Sequence, residues 1–247
     1  VTENHSIFVS DLHLAPERPQ AGRSFFDFVR GPAAQAGALY ILGDLFEYWV
    51  GDDDLDDPFN SAVADALRDL SGKGVALSFM HGNRDLLIRD AFATRCGARL
   101  LPDPLLLEDL HGKRTLLMHG DTLCTDDIEY QKFRAYAHDP DNQRRFLAQP
   151  LPERRRQVLG LRAQSEKSKQ GKAEEIMDVA PAAVEKALRA FGYPRLIHGH
   201  THRPARHVHV VDGRDCERWV LTDWYGRAGY LRCDPGGCAP VALQTAG

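Results

Sequence analysis

Three short apolar runs in the first third of the chain end in the same manner. Ile7-Phe8-Val9 leads into Ser10-Asp11, Ala38 to Leu42 into Gly43-Asp44, and Val75 to Met80 into His81-Gly82-Asn83. Apolar runs this short, bounded by turn-forming residues, read as strands buried on both faces. Helical patterns fill the gaps: Ser24 to Val29 reads as part of one helix, and Ala62, Ala66 and Leu70 share a face of another. Strand–helix–strand alternation predicts a mainly parallel sheet covered by helices. Such sheets gather ligands beyond the carboxyl ends of their strands. The polar residues just named fall at those ends.

From about Thr125 to Val179 the chain changes character. Glycine becomes scarce, β-branched residues nearly vanish, and arginine, lysine and glutamine crowd Gln143 to Lys172. This predicts a helical insert. Beyond it, Val184, Ala187, Leu188 and Phe191 mark one face of a helix that begins near Asp178 and Pro181. Strand-like material returns at Arg195 to His198, His207 to Val211 and Arg218 to Leu221. A chain of 247 residues holds one sizeable core. The reading is therefore a core made of residues 1–124 and 180–247, interrupted by an insert at 125–179.

Five blocks carry chemistry: Asp11-Leu12-His13, Gly43-Asp44, Gly82-Asn83-Arg84-Asp85, His119-Gly120-Asp121, and His198-Gly199-His200-Thr201-His202. Asp11 and His13 lie two residues apart, as do His200 and His202. On an extended segment that spacing points both side chains to one side. Mixed imidazole and carboxylate donors suit first-row transition metals. With Asp44 as a bridge, one ion takes Asp11, His13, Asp44 and His202, and the other takes Asp44, Asn83, His119 and His200. Taken singly, each block is as well explained as a turn or a helix cap. Together, in this order and each after an apolar run, they point to a two-metal site.

The same five blocks resemble the signature of the calcineurin-like metallophosphoesterase superfamily, D-x-H, G-D, G-N-H/R-D, H and G-H-x-H, over roughly Ser10 to Pro204. That resemblance implies an α/β fold, a two-sheet sandwich with metals at the sheet edge and here a helical insert as a cap. It implies catalysis by Asp44, Asn83, Arg84 and His119 at two divalent ions, usually manganese. Many members carry histidine after the asparagine; Arg84 stands here, which implies electrostatic help in place of a histidine acid.

Further stretches narrow the resemblance. Tyr40 to Glu47, Trp49 to Asp54, Met118 to Asp127, Ile176-Met177-Asp178-Val179 and Ile197 to Pro204 resemble the branch of lipid A biosynthesis that cleaves UDP-2,3-diacylglucosamine. The implied reaction is attack of a dimetal-activated water on the α-phosphorus, giving UMP and 2,3-diacylglucosamine 1-phosphate. The implied substrate contacts are Asn83, Arg84, Asp127, Ser165, Lys169, Lys172 and His200. The branch implies a monomer, peripheral on the cytoplasmic face of the inner membrane. Another dimetal phosphodiesterase or phosphomonoesterase remains an alternative, as does a scaffold that has lost catalysis. A lapsed scaffold should lack ligands, yet all are present.

Other features bound the function. A net charge of −4 argues against a protein built to neutralise nucleic acid. No secretory leader or spanning apolar run is visible, so a cytoplasmic protein is expected. Five scattered cysteines predict free thiols in a reducing compartment, with Cys233 and Cys238 as a remote zinc-clip candidate. Arg144, Arg145, Arg154, Arg155 and Arg156, interleaved with Phe146, Leu147, Leu151, Val158, Leu159 and Leu161, fit either a basic membrane-facing helical pair or a solvated face packed on the core. The acidic run Asp52 to Asp57 reads as a polar loop that ends in a helix cap at Asp57 before Pro58.

Overall fold

In the computed structural model, which describes residues 3–169 and 178–243 and the side chains of 5–162 and 178–243, the strands form two sheets. In the first, β1 (Glu3–Val9), β2 (Ala36–Leu42), β3 (Ala76–Met80) and β4 (Ala98–Leu101) run parallel in that order. The second contains β5 (Leu105–Leu110), β6 (Lys113–Leu117), β7 (Arg195–His198), β8 (Ala205–Val211) and β9 (Arg214–Val220), ordered β5-β6-β7-β9-β8. A hairpin of β10 (Gly229–Asp234) and β11 (Gly237–Ala242) completes the first sheet beside β1.

Alternation along the strands builds three cores. Ile7, Val9, Leu39, Ile41, Leu77 and Phe79 point outward onto α1 (Pro19–Arg30), α2 (Pro58–Gly72) and α3 (Asp90–Cys96). Their neighbours Phe8, Leu42 and Met80 point inward and meet Leu117, Ile197 and Trp219 of the other sheet. Leu116 and Leu196 face the far side, under Val184 and Leu188 of α7 (Pro181–Ala190). Each buried strand thus serves two cores, which is why the runs read as continuously apolar. The result is the expected α/β sandwich of two sheets between helices.

The region after residue 125 is helical where described: α4 (Ile128–His138), α5 (Pro140–Leu147) and α6 (Leu151–Lys169). Its arginines correct the membrane-facing reading in part. Arg154, 2% exposed, donates to the Val50 carbonyl at 2.5 Å and pairs with Asp53, while Arg155 pairs with Asp54 and Asp57. Arg144, Arg145 and Arg156 bond to Asp141, Asn142 and Glu153 on their own helices. Phe146 and Leu147 pack on the core. The acidic run is accordingly a receptor for the insert. Asp52 accepts the backbone amides of Arg89 and Phe92 at 3.0 and 2.9 Å, and Asp57 caps α2 as the sequence predicts.

A second correction concerns the cysteines. Register in the β10–β11 hairpin sets Cys233 opposite Cys238, and the two form a disulfide. This replaces both the zinc clip and the expectation of five thiols; Cys96, Cys124 and Cys216 form no disulfide, and all three are buried. Among the described residues no helix is long and apolar enough to cross a membrane.

Candidate metal centre

Five strand ends from both sheets converge. β1, β2 and β3 deliver Asp11 and His13, Asp44, and Asn83; β6 and β7 deliver His119, and His200 with His202. The convergence does not use the extended backbone expected of the D-x-H and H-x-H pairs. Asp11, His13, Asp44, His200 and His202 all adopt the left-handed conformation, with φ of 55°, 49°, 55°, 70° and 55°. Non-glycine residues rarely do so, and such strain collects where surrounding contacts impose it for function. Those contacts are visible: the amides of Asp11 and His13 donate to the carbonyls of Gly43 and Asp44 at 3.1 and 3.0 Å. Gly43 and Gly82 approach so closely that a Cβ on either would strike His119 or Asp44 respectively.

The side chains form two adjoining sets. His13 Nε2 lies 3.3 Å from His202 Nε2 and 3.9 Å from Asp11 Oδ1, and His202 Nε2 lies 3.3 Å from Asp11 Oδ1. In the other set Asn83 Oδ1 lies 3.2 Å from His119 Nε2 and 3.0 Å from His200 Nδ1. Asp44 stands between them, its Oδ2 3.8 Å from His13 Nε2 and 3.9 Å from His119 Nε2. Asp11, His13 and His202 have donor atoms close enough to hold one cation, and so do Asp11, Asp44 and His119. All seven metal-ligand candidates from the sequence are brought together.

The donor set fits cations. Asp11 Oδ1 and His13 Nδ1 are buried and receive no hydrogen bond. Burial, with Asp85 and Asp11 close by, pushes the Asp44 carboxyl up to about 7, the mark of a cluster short of positive charge. Burial lowers His200 to about 3, aided by His119, so its ring stays neutral and able to coordinate. Burial opposes protonation of His119 as well, but Asp44, Asp121 and Asp11 carry it up to about 9. Its Nδ1 lies 2.9 Å from the Leu42 carbonyl, which directs Nε2 toward the centre.

Supporting residues carry less sequence signal. Asp85, fully buried, accepts the amides of Gly82 at 2.9 Å, Asp44 at 3.2 Å and Leu45 at 2.7 Å. Glu47 lies 3.6 Å from His13 Nδ1, accepts Tyr225 Oη at 2.9 Å and pairs with Arg162 of α6 at 2.8 Å. Asp85 and Glu47 stand within quoted blocks, and only their burial reveals their work. Arg84 is half-buried, and its guanidinium has no hydrogen-bond or ion-pair partner among the described residues. Asp127 caps α4 through the Tyr130 amide at 3.1 Å. Ser165, Lys169 and Lys172, expected at the substrate, lie outside the described side chains.

A two-sheet sandwich bearing this donor set fits a metal-dependent hydrolase. A family model of calcineurin-like phosphoesterases matches residues 5–204, and the chain belongs to that family. Its relatives are more specific. The UDP-2,3-diacylglucosamine hydrolase of Aromatoleum aromaticum is 57% identical over 239 residues, covering 97% of this chain and 96% of that protein. The proteins of the same name from Chromobacterium violaceum and Cellvibrio japonicus are 50% and 49% identical, over 96% and 95% of this chain and 98% and 97% of their own lengths. A dimetal phosphatase structure from Danio rerio aligns over 99% of this chain and 100% of its own, at 13% identity and a TM-score of 0.46.

Proposed function

We propose that the chain hydrolyses the pyrophosphate bond of UDP-2,3-diacylglucosamine, giving UMP and 2,3-diacylglucosamine 1-phosphate. One observation carries this reading: the UDP-2,3-diacylglucosamine hydrolase of Aromatoleum aromaticum is 57% identical over 97% of the chain. In this reading Asp11, His13, Asp44 and His202 hold one ion, while Asp44, Asn83, His119 and His200 hold the other. Manganese is the proposed metal. Two such ions supply, when bound, a water acidified from 15.7 to roughly 7 and positive charge against the phosphoryl oxygens.

The protein's own groups then have separate tasks. Arg84 offers its uncommitted guanidinium to the diphosphate, and Asn83 and His200 orient it. Asp127 contacts the sugar–nucleotide region, and Ser165, Lys169 and Lys172 supply the insert's substrate contacts. Residues 125–179 form a cap over the acyl chains. Ile128, Phe133, Tyr136, Leu159 and Leu161, between 44% and 63% exposed, give it the apolar surface this requires. Such a surface also supports peripheral residence on the cytoplasmic face of the inner membrane, where the chain is proposed to act as a monomer.

Hydrolysis in ¹⁸O water tests the reaction. The label should appear in UMP; label in the sugar phosphate would exclude attack at the α-phosphorus. A parallel panel of simple phosphate esters and nucleic acid should be turned over poorly, and preference for one of these would replace the proposed substrate.

A further inference from the structure

We propose that a cavity between α4 and the loop after β4 receives the nucleoside end of the substrate. This rests on the reading above, in which water attacks the α-phosphorus. That phosphorus is joined to the ribose through a single ester oxygen, so the nucleoside must begin directly beside the metal centre. The diacylated sugar lies one phosphate further away. A nucleoside site therefore has to touch the ligand cluster, whereas a lipid site does not.

The cavity meets that condition. Its volume is about 180 Å³, and Gly82, Asp103, Asp121, Arg134 and His138 are among its lining residues. Gly82 precedes Asn83, and Asp121 follows His119 by two residues. Asp103 Oδ2 accepts the His119 amide at 3.3 Å. The cavity thus abuts the Asn83–His119 half of the centre. Pockets for drug-sized molecules run to about 300–1,000 Å³; this cavity falls below that range and is too small for two acyl chains.

Its chemistry is also matched to a nucleoside. Asp103 Oδ1 and Asp121 Oδ1 are buried and accept no hydrogen bond. Asp121 is 2% exposed, and its other oxygen is already taken by Tyr130 Oη at 3.0 Å and Arg134 Nε at 2.6 Å. Two buried acceptors without donors call for a ligand that brings O–H or N–H groups. Ribose hydroxyls and the imide N–H of uracil are such groups. Arg134 and His138 supply donors for the ring carbonyls. An acyl chain brings none of these, and a phosphate would set negative charge against two carboxylates.

Calorimetry on the manganese-loaded full chain tests this, with UMP and 2,3-diacylglucosamine 1-phosphate as separate probes. Asp103→Asn and His138→Ala should each weaken UMP by about tenfold and leave the lipid phosphate within about twofold, with unchanged circular dichroism. Wild-type protein should bind 2′-deoxy-UMP or N3-methyl-UMP more weakly than UMP. Unaltered UMP affinity in both variants overturns the proposal, and so does a loss confined to the lipid phosphate. UMP binding that follows this pattern in a protein unable to cleave the UDP-lipid would sink the proposed reaction and keep the nucleoside site.

Discussion

Asp85 grips Asp44 by its backbone: the Asp44 amide donates to Asp85 Oδ1 at 3.2 Å, and the next amide, Leu45, to Oδ2 at 2.7 Å. The same carboxylate holds the Gly82 amide at 2.9 Å, so one side chain fixes the turns that carry Asp44 and Asn83. Losing such a support commonly costs about 10- to 100-fold in metal affinity. Asp85→Ala should lose manganese to that extent in a calorimetric titration while all direct ligands remain. Wild-type affinity in the variant would show that the turns hold without it.

Arg84 makes the opposite prediction. Its guanidinium has no hydrogen-bond or ion-pair partner among the described residues, yet its backbone amide donates to Asp44 Oδ1 at 2.8 Å, a bond that alanine there can also make. Arg84→Ala should therefore keep its metal. Turnover should fall by about 10²–10³, the usual cost of removing one charge-stabilising donor. Steady-state kinetics beside elemental analysis separates the two effects, and normal turnover refutes a role for the charge.

Glu47 joins the insert to the centre. It sits 3.6 Å from His13 Nδ1 and 2.8 Å from Arg162 of α6. In Glu47→Gln, weaker orientation of His13 should lower manganese affinity by about tenfold. Arg162→Ala should produce a smaller loss in the same titration. Equal affinity in all three proteins would mean that the insert and the ligand are independent.

Two neighbouring arginines on α6 should differ in their effect on stability. Arg154 is 2% exposed and satisfies the Val50 carbonyl, so Arg154→Ala should cost about 1–3 kcal/mol. Arg156 is 73% exposed and pairs only within its helix, so Arg156→Ala should stay within about 0.5 kcal/mol. Urea denaturation measures both, and equal costs would contradict the docking described.

Much of this site was legible because its residues sit beside apolar strands. A run such as Ile7-Phe8-Val9 is recognisable when both of its faces are buried, and the ligand block follows at once. The apolar pattern does not mark β4, β5, β10 and β11: Leu105–Leu110 shows only one buried residue, and Gly237–Ala242 none. The local conformation of the ligand residues is not given by their spacing. Spacing alone suggests extended D-x-H and H-x-H, whereas long-range bonds such as Asp11 to Gly43 force left-handed turns. Asp52 to Asp57 looked like an idle loop because its partners, Arg154 and Arg155, lie about a hundred residues away. Cys233 and Cys238 pair across a hairpin that the apolar pattern does not reveal.

The proposed ligands are divided between the two sheets, with Asp11, His13, Asp44 and Asn83 following strands of one and His119, His200 and His202 following strands of the other. Neither half owns a complete coordination set. Ion uptake is therefore thermodynamically linked to the mating of the sheets, and an ion at 100 times its Kd should add about 2.7 kcal/mol against unfolding. Stripping it with a chelator should lower the melting temperature, and any mutation that loosens the inter-sheet seam around Phe8 and Ile197 should leak metal before it exposes the outer helices.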